Sequence, residues 1–421
     1  MRIRREAAET RAVLAAAWAG LPERLRGPTQ FLGRYYAGCG ATIGVMPRCD
    51  FTCGGCYLGA RANQLGARAL EEVKAQLRAI RAWLGPAGNL QLTDGEVTLR
   101  AEADLIELIA YARAIGLVPM LMTHGETFRR TPGLLERLME RGGLSEVSFH
   151  VDTTMRGRRD GYARAARESD LDGLRAEFAD MVRAARRRTG RTLDAASTVT
   201  VTRDTLDAVP AIVRWFLANA DAFKMVSFQP LARVGRTDPT LAGVDRDQLW
   251  ERIADGAGDR ELRRGEGSLG HPSCSRFVQG LVARRGGRPS LVPLYRHDRP
   301  EDMRLVAELV ERVGGTSFRL DGRLDRALRA ADLLVRHGGF LARRVLPHLW
   351  RLWRATGMRR PRYFCIVSHH FMSAAETATP LGQERLAACA FRVPIDGVLE
   401  PMCSVNALGL RDAFHGHASA G

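Results

Sequence analysis

Between residue 42 and about residue 232, short apolar runs alternate with longer stretches of helical periodicity. The alternation predicts six strands, which lie at 43–46, 90–93, 118–123, 146–152, 197–202 and 225–229. Helical patterns separate them at 69–84, 102–115, 132–141, 171–187 and 206–219. Strands that are joined through helices pair in parallel with right-handed crossovers. We therefore predict an α/β fold, a partial (β/α)6 TIM-like barrel, with its chemistry at the carboxyl ends of the strands.

The pattern changes beyond about residue 235, where charged and glycine-rich sequence replaces the alternation. The change predicts three regions: an N-terminal helical segment (1–40), the barrel (41–235) and an α-rich C-terminal accessory region (236–421). The stretch 322–362 holds eleven arginines against two aspartates, which is +9 of the net charge of +16. Gly338, Gly339 and Pro347 are expected to break this stretch into two or three helices.

Charge, cysteine content and the N-terminus indicate partners and compartment. The strongly positive charge suggests an anionic partner. Eight cysteines in 421 residues are too few and too scattered for a secreted disulfide scaffold, which favours metal ligation in the reducing cytoplasm. The N-terminus has some character of a signal peptide, but charged residues lead into its apolar run, so an amphipathic helix starting near Glu6 is favoured. The sequence contains no run of 18 uninterrupted apolar residues, so we expect no transmembrane helix.

Three thiols, Cys49, Cys53 and Cys56, lie within eight residues directly after the first predicted strand. Three thiolates on a tight loop can hold three corners of a [4Fe–4S] cluster and leave the fourth iron free to bind a small molecule. The alternative is a zinc knot, but zinc sites more often use paired Cys-x2-Cys units with a fourth ligand nearby. The nearest further thiol is Cys39, ten residues upstream, for which a core role is expected.

Polar residues collect at the ends of the other predicted strands. Strand two ends in Asp94-Gly95-Glu96, and strand four carries Ser148, His150 and Asp152. A glycine lets the backbone approach a ligand closely, and a carboxylate can accept from an ammonium group. The third strand ends in Thr123-His124-Gly125-Glu126, and Gln229 ends the sixth. With the cysteine loop after the first strand, this makes five. Turn residues occur at every strand end, but five polar ends together indicate the rim of one site.

Cys-x3-Cys-x2-Cys after a first strand, with Gly95-Glu96 at the end of the second, resembles the radical S-adenosylmethionine superfamily. The resemblance implies that the three thiolates hold the cluster and that its open iron binds the amino and carboxylate groups of S-adenosylmethionine. It further implies reductive cleavage to a 5′-deoxyadenosyl radical. The family usually has Gly-Gly-Glu-Pro where this chain has Asp94-Gly95-Glu96-Val97, and an aromatic residue where it has Gly55.

The same resemblance assigns roles to the strand ends. Gly95 and Glu96 would contact the methionyl amino group. Ser148, His150 or Asp152 would meet the ribose, with Asp152 the preferred candidate against the alternative of a helix cap. Gln229 would meet the methionine carboxylate or the substrate.

A second set of thiols lies outside the predicted barrel: Cys274, Cys365, Cys389 and Cys403. Four thiols would complete a second, fully ligated [4Fe–4S] cluster, and His271 could replace one of them. The alternative is that they are ordinary buried cysteines.

The C-terminal half is similar to the class D radical methylases, a branch that includes the tetraether lipid synthases. The similarity rests on His271-Pro-x-Cys274, the basic helical insert, the late cysteines, Phe228-Gln229-Pro230 and Gly235-Arg236. It implies methylation or carbon–carbon bond formation at an unactivated carbon of a lipid or other apolar small molecule. It also implies an electron donor resembling flavodoxin or ferredoxin.

Three alternatives remain open. The segment 340–362 fits either a helix at the surface of the inner face of the membrane or a basic face packed on the protein. Within enzymes, a two-cluster enzyme could modify a peptide, although the closely spaced cysteine motif of such enzymes is missing. The non-enzyme alternative is an iron–sulfur or zinc protein that binds RNA as a redox sensor; under the enzyme hypothesis, nucleic acid is not expected as a partner.

Overall fold

The computed structural model describes residues 2–259, 261–262, 267–320 and 322–417. A curled sheet lies at its centre, with the strand order β11-β10-β1-β2-β3-β4-β5-β6-β9-β7-β8. The strands are β1 (Cys39–Ala41), β2 (Gly88–Leu92), β3 (Leu117–Thr123), β4 (Glu146–His150), β5 (Asp194–Val201), β6 (Phe223–Pro230), β7 (Ser275–Arg285), β8 (Arg288–Pro293), β9 (Tyr363–His369), β10 (Phe391–Ile395) and β11 (Val398–Pro401). Strands β1 to β6 pair in parallel in sequence order, which confirms the predicted α/β partial barrel.

Helices pack around this sheet. They are α1 (Arg2–Ala19), α2 (Leu70–Leu84), α3 (Glu102–Ala114), α4 (Glu126–Arg130), α5 (Leu134–Arg137), α6 (Asp172–Thr189), α7 (Val209–Ala218), α8 (Arg246–Ala257), α9 (Pro300–Val313), α10 (Arg323–Phe340), α11 (Leu346–Thr356), α12 (Ala374–Thr377), α13 (Pro380–Ala387), α14 (Met402–Ala407) and α15 (Leu410–His417). Helix α2 shows why they pack this way: Val73, Leu77, Ile80 and Leu84 recur at helical spacing and are all buried. Burial of each such side chain contributes about 1.5–3 kcal/mol.

The first strand lies earlier than predicted. The prediction placed it at 43–46, whereas β1 is Cys39–Ala41. Gly44 adopts a φ of 82°, which a strand does not allow, and its N–H donates to the Asp94 carboxylate at 3.1 Å. Ile43 and Val45 are buried in spite of this, so the apolar run is a packed loop that leads into the cysteines.

The C-terminal accessory region contributes five strands that the sequence analysis did not predict. Strand β10 pairs in parallel with β1, and β9 pairs in parallel with β6, so both edges of the six-stranded core are extended. Strands β7 and β8 form an antiparallel hairpin on β9, and β11 pairs with β10. The sheet is therefore continuous across the boundary predicted at residue 235.

Polar side chains close the amino end of the curled sheet. Arg319 forms an ion pair with Glu146 at the start of β4. Asn89 donates to the other Glu146 oxygen at 3.1 Å, and Cys39 donates its S–H to the Asn89 side chain at 3.0 Å. This network gives Cys39 a structural role. It also leaves the carboxyl ends of the strands as the open side of the sheet.

The basic segment forms two helices, within the two or three that were predicted, although neither ends at the paired glycines. Helix α10 continues through Gly338 and Gly339, and a π-helical turn at Leu341–Val345 joins it to α11. Pro347 lies in the first turn of α11, where its missing N–H costs nothing. Among the described helices, none combines the length and the apolar character that crossing a bilayer requires.

Candidate active site

A cavity of about 190 Å³ opens at the carboxyl ends of the strands. It brings together most of the residues that the sequence singled out. Those that line it are Cys49, Cys53, Cys56, Gly95, Glu96, Ser148, His150 and Gln229. The site residues predicted from four different strand ends therefore share one space, as parallel strands require.

The three thiols line one wall of this cavity. Burial raises the pKa of Cys49 to about 12 and raises that of Cys53 as well. Such thiols become thiolates only beside a cation or a metal. Arg236 supplies one such cation, because its Nε–H donates to the sulfur of Cys56 at 3.2 Å. Three thiols on one wall, one of them beside a guanidinium, form a donor set that can hold a metal cluster.

Gly55 shows why an aromatic residue is absent from the cysteine loop. A Cβ at this position would lie 2.8 Å from a methyl carbon of Leu231 and 3.1 Å from the Thr200 methyl. The space that a larger side chain would occupy is therefore already filled by residues from β5 and from the loop after β6.

Backbone hydrogen bonds join the end of β2 to the cysteine loop. Gly95 N donates to Met46 O and Glu96 N to Arg48 O, each at 2.8 Å. A Cβ on Gly95 would collide with the Pro47 and Arg48 carbonyl oxygens, so only glycine allows this approach. The structure therefore places Gly95 against the residues that immediately precede Cys49.

Glu96 is buried, and neutral donors hold its carboxylate in place. Thr123 donates to Oε1 at 2.6 Å, and His124 N donates to Oε2 at 2.8 Å. Thr98 N donates to Oε1 at 3.2 Å. Nε2 of His124 also lies 3.3 Å from Oε2. No arginine or lysine among the described residues forms an ion pair with this carboxylate, so it can face a cationic ligand in the cavity.

Asp94 occupies the position where the family usually has glycine, and it binds the last helix. Its carboxylate pairs with Arg411 and accepts from Nε2 of His415 at 2.8 Å, both on α15. The Arg411 guanidinium also lies over the ring of Tyr57, 4.6 Å from its centroid. The departure from the family motif therefore anchors the C-terminal helix beside the cavity.

His150 lies in the cavity wall, with Asp152 behind it. Nε2 of His150 lies 2.8 Å from one oxygen of Asp152. That carboxylate also accepts from Thr200 N at 2.7 Å and from Thr154 N at 2.9 Å. Although burial alone would raise it, the pKa of Asp152 is held below its usual value by His150 and these donors. Asp152 is absent from the described residues that line the cavity, so the geometry favours His150 or Ser148 for the predicted ribose contact.

His124 could be expected to ligate zinc together with Cys49 and Asp50, since these three place one ligand atom each within 4.8 Å of one another. However, both ring nitrogens of His124 are engaged: Nε2 donates to Asp50 at 2.7 Å, and Nδ1 accepts from Glu126 N at 3.1 Å. The hydrogen bond from His124 lowers the pKa of Asp50 to about 2. The ring also stacks on Phe51 at 3.9 Å. The trio is thus satisfied without a metal, which disfavours the zinc alternative.

Three of the four remaining thiols come together. Burial raises the pKa of Cys403 to about 12, and the charges of Cys389 and Cys274 raise it further. Nε of Arg385 on α13 donates to the sulfur of Cys274 at 3.3 Å. Arg385 thus stands beside the second set of thiols as Arg236 stands beside the first. His271 stays outside the set, because its Nδ1 accepts from Ser273 N at 3.0 Å and its Nε2 faces Glu384 at 3.4 Å.

Cys365 does not join this set, so its predicted place as a fourth ligand is wrong. In the ladder between β7 and β9, Ser275 pairs with His369 while Gln279 pairs with Cys365. Cys274 precedes by five residues the residue of β7 that pairs with Cys365, which is a distance of about 16 Å along the strand. One cluster cannot span that distance.

Two features of the site were missed by sequence reasoning. Phe371, Phe391 and Met402 form an apolar wall of the cavity. The second set of thiols lies beside this wall, since Met372 N donates to the Cys403 sulfur and Phe391 N to the Cys389 sulfur. Arg236 and Arg385 donate to thiols from distant elements. The Gly235-Arg236 pair drew attention to the first arginine, but no sequence signal identified the second.

Comparison with protein families agrees with the resemblance that the cysteine motif indicated. The model of the radical SAM superfamily matches residues 43–213. The 7,8-dihydro-6-hydroxymethylpterin dimethyltransferase of Methanocaldococcus jannaschii is 26% identical to this chain over 201 residues. The match covers 47% of this chain and spans 37% of the length of that relative.

Among solved structures, Streptococcus suis SuiB bound to S-adenosylmethionine is similar with a TM-score of 0.39 and 16% identity. The superposition covers 53% of this chain and 48% of SuiB. A second structure of SuiB gives a TM-score of 0.38 at the same identity, covering 55% of this chain and 48% of that one.

Proposed function

Residues 43–213 make this chain a member of the radical SAM superfamily, and on that premise we propose that it cleaves S-adenosylmethionine reductively and modifies an unactivated carbon of an apolar substrate. The observation that carries the proposal is the cavity, which places three half-buried thiols, a carboxylate without an arginine or lysine partner among the described residues, and an apolar wall around one space. The reaction that we favour is methylation, because the curated relative is named a dimethyltransferase. Carbon–carbon bond formation is the second outcome.

The residues at the cavity fit a [4Fe–4S] cluster and S-adenosylmethionine. Cys49, Cys53 and Cys56 would hold three irons. When bound, such a cluster would supply the electron for reductive cleavage of S-adenosylmethionine, which is the source of radical chemistry at an unactivated carbon. Glu96 would face the methionyl ammonium, and the backbone of Gly95 would approach it closely. These side chains bind and orient, and their burial keeps water from the reacting atoms.

His150 and Gln229 complete the cofactor side of the cavity. The Nε2 proton of His150 is shared with Asp152 and Thr200, so its ring is held in one orientation. A fixed ring can offer the same contact to a ribose hydroxyl in every turnover. Gln229, from β6, offers both a donor and an acceptor to the methionine carboxylate or to the substrate.

Cys274, Cys389 and Cys403 are proposed to hold a second cluster. Their clustering beside Arg385 supports this, because a guanidinium that donates to sulfur favours the thiolate form. Because the register of β7 and β9 keeps Cys365 away from these three thiols, the fourth iron would take a ligand other than Cys365. The adjacent wall of Phe371, Phe391 and Met402 would then receive the apolar part of the substrate between the two clusters.

The compartment and the electron donor follow from the same thiols. Clusters held by cysteine persist in reducing surroundings, so we place the protein in the cytoplasm. A flavodoxin-like or ferredoxin-like donor would supply the electron. Such a donor, if acidic, would be attracted by the net charge of +16.

The central test is anaerobic cleavage of S-adenosylmethionine. Protein reconstituted with iron and sulfide and reduced with dithionite should release 5′-deoxyadenosine, measured by liquid chromatography. Cys56→Ser should abolish the product, whereas Cys39→Ser, a thiol outside the cavity, should retain it. Absence of 5′-deoxyadenosine from protein with verified cluster loading would refute the proposal and favour the iron–sulfur RNA-binding alternative.

The fate of the methyl group separates the two proposed outcomes. S-adenosylmethionine with a trideuterated methyl group should transfer deuterium to the product in a methylation, and none in carbon–carbon bond formation. Anaerobic lipid and metabolite profiling of a deletion strain would supply the product to analyse. If the product that disappears from the deletion strain is a modified peptide, the proposal that the substrate is an apolar small molecule is refuted.

A further inference from the structure

The outer surface of α10 and α11 exposes large apolar side chains. On α11, Leu346 and Trp350 are 60% and 58% exposed. On α10, Leu324 and Val335 are 73% and 87% exposed. Seven of the fourteen large apolar residues that are exposed in the described structure fall between 324 and 350. A soluble surface rarely gathers so many in one segment.

The two sides of α11 have different partners. Leu352 packs on Ala283 and Val292 of the β7–β8 hairpin, and His348 Nε2 donates to Leu294 O at 2.7 Å. The opposite side presents Leu346, Leu349 and Trp350, which share one face at spacings of three and four. Helix α11 is therefore already docked by its inner side, and its outer apolar side needs another occupant.

Arginines flank this outer side without carboxylate partners. Residues 333–375 contain eight arginines and no aspartate or glutamate. Arg344 and Arg351 pair with Glu308 and Asp302. Within the described parts of the chain, Arg343 and Arg354 form no ion pair. They lie three residues before Leu346 and four after Trp350, which puts them on the same side of the helix.

We propose that this surface, the Arg–Trp face (Arg343, Leu346, Leu349, Trp350 and Arg354), docks on an anionic lipid bilayer. Leucine and tryptophan would enter the boundary between headgroups and acyl chains, where tryptophan is enriched in membrane proteins. The arginines would extend to the lipid phosphates, which accept two hydrogen bonds from one guanidinium. The face is a convex helix rather than a groove, which suits a bilayer better than a peptide.

The Arg–Trp face lies away from the cavity. Strand β7 begins at Ser275, which pairs with His369 at the carboxyl end of β9, the end where the cavity lies. It then runs antiparallel to β9 toward the opposite end of the sheet, where Leu352 packs on the β7–β8 hairpin. Helix α11 therefore contacts the end of the sheet opposite to the site. The proposed role is a tether, independent of the proposed reaction, and variants of this face are expected to leave cleavage of S-adenosylmethionine unchanged.

Vesicle binding tests the proposal. The full-length protein is mixed with vesicles of phosphatidylcholine alone, or with about 30% phosphatidylglycerol, and bound protein is measured by sedimentation. We expect binding to the anionic vesicles only. The double variant Arg343→Gln/Arg354→Gln should bind about 30-fold more weakly, because each basic residue near an anionic surface contributes about fivefold. Leu346→Ser/Trp350→Ser should reduce binding to background.

The matched control is Arg141→Gln/Arg187→Gln, which removes the same charge from exposed positions elsewhere. It should bind as the unaltered protein does, and circular dichroism should show that all variants fold. Equal loss in this control would mean that net charge alone drives binding, and would overturn the proposal. Absence of vesicle binding, or self-association or a protein partner that depends on the same residues, would overturn it as well.

Discussion

The contact between Arg236 and Cys56 predicts a measurable effect on the cluster. The guanidinium donates to the sulfur at 3.2 Å, and its second nitrogen donates to Phe51 O at 3.3 Å. Reduction adds one negative charge to a cluster, so a nearby cation stabilises the reduced form. Replacing Arg236 by Gln should therefore make the reduction potential more negative.

The expected size follows from Coulomb's law. A unit charge about 6 Å from the middle of the cluster, at an effective dielectric constant of about 20, contributes about 3 kcal/mol. For a one-electron couple this is about 120 mV, since about 1.4 kcal/mol corresponds to 59 mV. Arg236 is partly exposed, so solvent screening lowers the expected shift to about 50–100 mV.

The assay is a redox titration of the reconstituted protein, monitored by electron paramagnetic resonance. Arg236→Lys keeps the charge but not the fork of donors, and should shift the potential by less than half as much. Arg233→Gln removes an equal charge three residues away, where the guanidinium contacts Pro239 O rather than a thiol. A shift below about 20 mV for Arg236→Gln, or an equal shift for Arg233→Gln, would refute the reasoning.

Four further outcomes are expected. Cys389→Ser should lower the iron content from about eight to about four atoms per chain, whereas Cys365→Ser should leave it unchanged; equal losses in a colorimetric iron assay would contradict the assignment. Gly95→Ala should weaken binding of S-adenosylmethionine at least tenfold in equilibrium dialysis, because the added carbon collides with backbone oxygens of the cysteine loop; unchanged affinity would contradict this. Burial lowers the pKa of His369 to about 4, below the 6.5 of the unfolded chain, so its stabilising effect is present above pH 6.5 and is lost as the pH falls toward 4. Urea unfolding at pH 7 and pH 5 should therefore show up to about 2 kcal/mol more acid destabilisation in the unaltered protein than in His369→Gln; an identical pH dependence would refute it. Asp94→Asn should lower the free energy of unfolding by about 3 kcal/mol, since it leaves a buried guanidinium without its charge partner; a loss below about 1 kcal/mol would contradict that role.

The barrel was predictable because its signals are local. Periodicity over 10–16 residues identifies helices, and apolar runs between them identify strands, so six of the strands could be inferred from the sequence. The first was misplaced because Ile43 and Val45 are buried in a loop, and burial alone does not distinguish a strand from a packed loop. In the accessory region, β9 and β10 join the sheet by pairing with β6 and β1, which lie far away in the chain, and local periodicity does not reveal such pairing.

The site was predictable where a motif fixes a backbone position. The spacing of Cys49, Cys53 and Cys56 and the glycine at position 95 both act within a few residues. The surroundings of Asp152 and Cys365 could not be predicted, for a different reason. Whether a carboxylate faces a cavity or is already paired, and whether a thiol lies near another, depends on strand register. Register follows from the assembled sheet, and a single sequence does not reveal it.

Asp94 shows how the two halves of the chain depend on each other. A small residue at this position would leave the end of β2 free, but the aspartate draws α15 onto it through Arg411 and His415. Arg411 also covers Tyr57, which follows the third cysteine of the motif. The cysteine loop therefore packs between β2, which belongs to the barrel, and α15, which ends the described chain. Because Phe371, Phe391 and Met402 line the same cavity, the accessory region forms part of the site itself. A deletion that keeps only residues 39–235 should consequently lose the cavity wall and the Asp94 anchor together, even though β1 to β6 would all be present.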